Sequence, residues 1–150
     1  MGSPKLINRH QISISTNNKQ QLFEQILLWG ESSWWPKKSL MKFLRIGDGP
    51  IVVGTLYRQK VMLPFAPTWC SLVTNINQPV SVCRRLLAGF LAGQEEIKIV
   101  ESDNFFLVVY SLEYSIEKIF YRWLWKIIFE RLHNYNIELI LKNLKDYLER

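Results

Sequence analysis

The chain has 150 residues, enough for one domain with one sizeable core. A hydrophobic share of 48% excludes a disordered chain, and a formal charge of +6 points to anionic partners. The basic residues are scattered and form no dense Lys/Arg run, so no nucleic-acid footprint is expected, and no apolar run is long enough for a membrane-spanning helix.

The first residues, Met1 to Lys5, lead into a polar stretch and predict no signal peptide. Leu6 stands where a myristoylation signal needs Ser or Thr. Residues 10–15 alternate, with Ile12 and Ile14 on one side, and read as a strand. Asn17 followed by Gln20 resembles a capping box. The helix after it places Leu22, Phe23, Ile26 and Leu27 on one face and ends near Gly30. Residues 31–36 read as a turn or a short second helix ending in Trp34-Trp35-Pro36.

Six further strands follow. Residues 40–46 and 51–62 flank Gly47-Asp48-Gly49-Pro50, a hairpin turn and not a phosphate loop, since no helix follows it. Residues 69–74 and 80–87 flank a turn at 75–78, and residues 94–100 and 105–114 flank a turn at 101–104. Short turns imply antiparallel neighbours, and the distant first strand is expected beside the last ones. The order, strand, two helices, six strands, long helix, predicts one α+β domain over residues 1–150.

Register gives named expectations. A symmetric turn at 101–104 puts Ile97 opposite Val108, Ile99 opposite Phe106 and Glu95 opposite Tyr110. One face is then apolar, with a carboxyl and a phenol at its far end. The earlier hairpin puts Cys70 opposite Cys83 on one face and Trp69 opposite Arg84 on the other. Arg58 and Lys60 suggest that Tyr57, Gln59 and Val61 point inward. The two cysteines are read as reduced small core residues in a cytoplasmic setting, not as a disulfide or metal framework.

Residues 116–148 are compatible with helix throughout, yet the apolar face changes sides. Up to Ile128 it is Phe120, Trp123, Leu124, Ile127 and Ile128, opposite Lys118, Arg122, Lys126 and Glu130. Beyond it the face is Phe129, His133, Ile137, Ile140, Leu144 and Leu148. This predicts two helices, or one gripped on opposite sides by different things. The second half reads as a lid over a curved sheet and the first as a basic, aromatic flap beside it. The flap suits an anionic membrane surface, a homodimer contact, or ordinary packing.

With this order in place the chain resembles the START-like superfamily of polyketide cyclases, dehydrases and lipid-transport proteins, which share the helix-grip fold. The resemblance rests on the strand and helix over residues 11–27, on Trp34-Trp35-Pro36, on Gly47 and Gly54, and on Phe129, His133, Ile137, Leu144, Tyr147 and Leu148 in the closing helix. Thr16-Asn17-Asn18 departs from the small residue and prolines usual before the first helix. The resemblance implies a curved antiparallel sheet of about seven strands wrapped around the long C-terminal helix, with an apolar cavity between them.

On this reading the chain binds or transports an apolar small molecule, such as a lipid, an isoprenoid or a polyketide-like compound, without a cofactor or metal. The candidate ligand-binding residues are Trp34, Trp35, Tyr57, Trp69, Arg84, Glu95, Phe106, Tyr110, Phe129, His133 and Ile137. His133 offers a hydrogen bond, or a base if its pKa lies near working pH; Glu95 offers an acid if burial raises its pKa. Each also has a plain structural reading: a core histidine, a strand-end carboxylate, a buried Trp corner, a Trp69–Arg84 surface pair. The alternatives are a cyclase or dehydratase using Glu95 and His133, and a peripheral membrane or protein-binding module using residues 116–128.

Overall fold

The computed structural model describes residues 5–64, 66, 68–87 and 91–150. Strand β1 (Leu6–Ile14) leads to α1 (Lys19–Leu27), followed by β2 (Met41–Ile46), β3 (Leu56–Val61), β4 (Thr68–Asn77), β5 (Ser81–Leu87), β6 (Ala92–Glu101) and β7 (Phe106–Ser115). The chain closes with α2 (Ile119–Leu124), a π-helical turn (Trp125–Phe129) and α3 (Glu130–Leu148), which run on as one helix. All seven strands form one antiparallel sheet in the order β1-β7-β6-β5-β4-β3-β2, with β1 beside β7 as the connection lengths predict. Residues 31–40 fold as turns and bends, so the second short helix does not form.

The core lies between the concave face of the sheet and the two helices. From α1 come Leu22, Phe23 and Ile26, all fully buried. From α3 come His133, Asn136, Ile137, Ile140, Leu141 and Leu144. Alternation on the strands supplies the rest: Tyr57 and Gln59 are buried while Arg58 and Lys60 face out, as expected. Polar clips fix the closing helix. Asn136 Oδ1 accepts from Leu40 N at 3.0 Å and Ser39 Oγ at 3.1 Å, Asn143 Nδ2 donates to the Trp34 carbonyl at 3.2 Å, and Lys145 Nζ donates to the Ser13 carbonyl at 2.7 Å.

Three local expectations are corrected. The first helix is capped by Asn18, not Asn17: its Oδ1 accepts from Gln21 N at 2.9 Å. Asn18→Ala should therefore cost about 1 kcal/mol of stability in urea unfolding, with Asn17→Ala near neutral. The β6–β7 turn lies one residue later, closed by Ser102 N to the Phe105 carbonyl at 3.0 Å. Pairing shifts by two, so Ile97 faces Tyr110 and Glu95 faces Leu112. In the β4–β5 hairpin the strands run on to Asn77 and Ser81, and the register shifts between Val73 and Asn75, consistent with a bulge at Thr74. Arg84 therefore faces Val73, Cys70 faces Leu87 and Cys83 faces Asn75. Both cysteines are free, and burial, with Glu96 nearby, pushes the Cys83 thiol up to about 11.

The change of apolar face in the closing helix has a specific cause. The π turn at Trp125–Phe129 is wider than an α turn and shifts the register of everything before it. The inward face continues through half-buried Phe129 to buried Trp125. The first half is thus no separate flap. It continues the lid, and its own apolar stripe faces outward: Phe120, Trp123, Ile127 and Ile128 are all exposed.

Candidate functional site

An ion pair on neighbouring strands is buried in the core. Arg84 on β5 and Glu95 on β6 are directly opposite in the register and point to the concave side, only 1% and 3% exposed. Arg84 Nη1 donates to Glu95 Oε1 at 3.2 Å, and the Tyr110 hydroxyl on β7 donates to Glu95 Oε2 at 2.9 Å. Glu95 is thus engaged at both oxygens. The guanidinium lies 5.3 Å from the Tyr57 ring centroid, and its Nε and Nη2 have no hydrogen-bond partner among the described residues. Burial, and then the Glu95 charge, hold the Tyr110 phenol well above its usual pKa, so it stays a donor. Burial also raises the Tyr57 pKa, against the lowering pull of Arg84.

His133 comes down onto this cluster from α3. Its ring is 5.9 Å from Tyr110 and 5.6 Å from Trp125, centroid to centroid. Burial, and secondarily His10, push its pKa down to about 3. The expectation of a titration near working pH is therefore corrected: His133 is a neutral imidazole across the physiological range. Its Nε2 is buried and has no hydrogen-bond partner among the described residues. A second polar chain runs alongside: Trp69 Nε1 donates to Gln59 Oε1, and Gln59 Nε2 donates to Ser71 Oγ at 2.9 Å.

Where the sequence leads one to expect an apolar cavity, the interior has only two narrow slots among the described residues, meeting at His133. The outer slot has about 20 Å³ of room and is lined by Met41, Val61, Trp69, Trp125, Phe129, Leu132, His133 and Asn136. The inner has about 10 Å³ and is lined by Met41, Gln59, Trp69, Leu86, Leu91, Glu95, Tyr110, Leu112 and His133. A water needs about 10–15 Å³ on this measure, so each slot is water-sized and aromatic side chains occupy the remaining interior.

Five of the sequence-predicted residues meet at these slots: Trp69, Glu95, Tyr110, Phe129 and His133. Arg84 and Tyr57 stand behind them as partners of Glu95 and of each other. Trp34 and Trp35 do not reach either slot. They pack with Trp29 and Phe43 in a buried corner, where Trp34 Nε1 donates to Gln25 Oε1 at 2.9 Å. Phe106 is half-buried and Ile137 fully buried, and neither lines a slot. Trp69 and Arg84 share the inner face but are not opposite, so the proposed surface pair is absent. Sequence reasoning missed Met41, Leu132, Asn136 and above all Trp125, whose inward turn the π geometry sets; Gln59 was placed inward without a role.

No protein-family model matches the chain, and no curated protein is similar to it in sequence. Solved structures are similar in shape. Norcoclaurine synthase from Thalictrum flavum superposes with a TM-score of 0.71 at 13% identity, over 99% of this chain and 96% of that one. The ginseng major latex-like protein 151, from Panax ginseng, gives 0.69 at 12% identity over 98% and 99%. The Zhui aromatase/cyclase from Streptomyces sp. R1128 gives 0.70 at 13% over 98% and 95%. With its curled seven-stranded sheet closed by a long C-terminal helix, the chain has the helix-grip fold.

Proposed function

We propose that the chain binds a small, largely apolar molecule carrying one polar group, held between the sheet and the closing helix. The observation that carries this reading is the unpartnered, buried Nε2 of His133, set between two slots beside the Glu95–Tyr110 pair. A buried polar atom without a partner costs about 1–3 kcal/mol, and a buried ion pair gives little net stability in return. Such groups are costly as packing and useful as an anchor for a guest's hydroxyl or carbonyl. The apolar body would lie against Met41, Val61, Trp69 and Phe129, and binding needs these walls to move apart. Norcoclaurine synthase, which shares the fold, forms a complex with dopamine and hydroxybenzaldehyde, which are small aromatic molecules.

A holding role suits these groups better than proton transfer. A histidine with a pKa near 3 is a weak base at neutral pH, and both Glu95 oxygens already accept a hydrogen bond within the protein. Two probes test the reading: 2-naphthol, a flat body with one hydroxyl, and decanoate, a chain with one carboxylate. At least one should bind saturably in a fluorescence or calorimetric titration. Leu132→Trp, which adds bulk at the outer slot, should weaken that binding about tenfold, equivalent to about 1.4 kcal/mol. Trp34→Phe, away from the slots, should leave it unchanged. Failure of both probes to saturate, or binding indifferent to Leu132→Trp in a variant that retains its fold, overturns the reading.

A further inference from the structure

The outer face of the first half of the closing helix carries a run of exposed large apolar side chains. Ile119, Phe120, Trp123, Ile127 and Ile128 are 77%, 62%, 59%, 49% and 44% exposed. They form one stripe, because the π turn holds Ile127 and Ile128 in line with Ile119, Phe120 and Trp123. Cationic side chains flank it: Lys118, Lys126 and Arg131 are exposed and Arg122 is half-exposed, against exposed Glu117 and half-buried Glu130. We propose that this face docks on an anionic lipid surface, the stripe entering the headgroup boundary and the basic flank resting on lipid phosphates.

Three observations favour lipid over another protein. The first is charge: an apolar stripe with a basic flank complements an anionic bilayer, and each nearby Lys or Arg adds to binding that salt weakens. Two-fold pairing of the same face would instead bring Lys118 and Lys126 of one copy towards those of the other. The second is the residue type: an exposed Trp at the centre of the stripe suits the membrane interface, where one end is apolar and the other wet. The third is position. The same stretch of helix presents Trp125 and Phe129 to the outer slot on its opposite side. The neighbouring β3–β4 connection adds exposed Met62, directly after slot-lining Val61. Docking therefore sets the slot's wall at the lipid boundary. No described helix is long and apolar enough to cross the membrane, so the contact is interfacial.

The test is sedimentation with vesicles of phosphatidylcholine alone and of phosphatidylcholine with phosphatidylglycerol. The chain should pellet with the anionic vesicles and be released at about 1 M salt, where the Debye length is about 3 Å. The exposed-face variant Trp123→Ala with Ile127→Ser should bind at least tenfold more weakly while keeping its circular dichroism spectrum and its binding of 2-naphthol or decanoate. Lys118→Gln with Lys126→Gln should lose the preference for anionic vesicles. Equal pelleting with both vesicle types, or binding unchanged in Trp123→Ala with Ile127→Ser, overturns the proposal. So does a dimer in analytical ultracentrifugation that this double variant splits, since the stripe would then be covered by a second copy. Loss of probe binding by Leu132→Trp with intact vesicle binding would separate the two proposals.

Discussion

Glu95→Leu is expected to lower the unfolding free energy by about 3–5 kcal/mol, the largest single-residue effect in the sheet. The reason is what it leaves behind. Arg84 is 1% exposed and among the described residues has one ionic partner, reached through a single nitrogen. Without Glu95 the guanidinium is a buried charge with no counterion, and Tyr110 loses its acceptor. At about 2–4 °C per kcal/mol for a chain of this size, the melting temperature should fall by roughly 6–20 °C. Removing both charges, Arg84→Met with Glu95→Leu, should recover most of the loss, because two apolar side chains of similar volume can replace a buried ion pair at little cost. Urea unfolding of the four proteins in the cycle gives the coupling directly. If the double variant were as unstable as Glu95→Leu alone, lost packing and not an unpaired charge would be the cause.

The second large effect is a pH dependence. Folded His133 has a pKa near 3, whereas in the unfolded chain it takes its ordinary value near 6.5. Between these values the unfolded state carries a proton that the folded state refuses. Stability from this residue is thus fully present above about pH 6.5 and is lost as pH falls towards 3, at up to about 1.4 kcal/mol per pH unit. Acidification from pH 6.5 to 5 should cost roughly 2 kcal/mol. The charged and titratable groups nearest the ring are His10 on β1, Tyr110 on β7 and Glu95 on β6. His133→Leu keeps them and removes only the imidazole, so it should flatten the profile by that amount. Parallel profiles for the two proteins would contradict the assignment.

Most of the fold was legible because it follows from period and connection length. Alternation picked out the inward sides of β1 and β3, and short turns gave the antiparallel order. Errors of register did less harm than their size suggests. The β6–β7 slip was two residues, and a slip of two preserves which side each residue faces. Glu95 and Tyr110 therefore meet diagonally, 2.9 Å apart, although Leu112 is the residue opposite Glu95. The bulge in β4 was not legible, since nothing in Val73-Thr74-Asn75 announces an extra residue. Nor was the π turn: its only trace is the apolar face changing sides, which the sequence expresses equally well as two helices. That ambiguity hid Trp125, which belongs to neither expected stripe. The state of the cavity lay beyond sequence altogether, because the same Trp and Tyr residues serve as lining or as filling depending on rotamer.

The most direct test of binding beneath the helix is to follow the indole N–H signals of the tryptophans by NMR while adding 2-naphthol or decanoate. Trp69 and Trp125 line the outer slot, and Trp125 Nε1 donates to the Tyr114 hydroxyl at 2.8 Å, so both report on that wall. Saturable shifts at these two signals, with Trp34 and Trp35 still, are the expected result. Shifts restricted to exposed Trp123, or no saturable shift with either compound, would mean that the interior holds no guest.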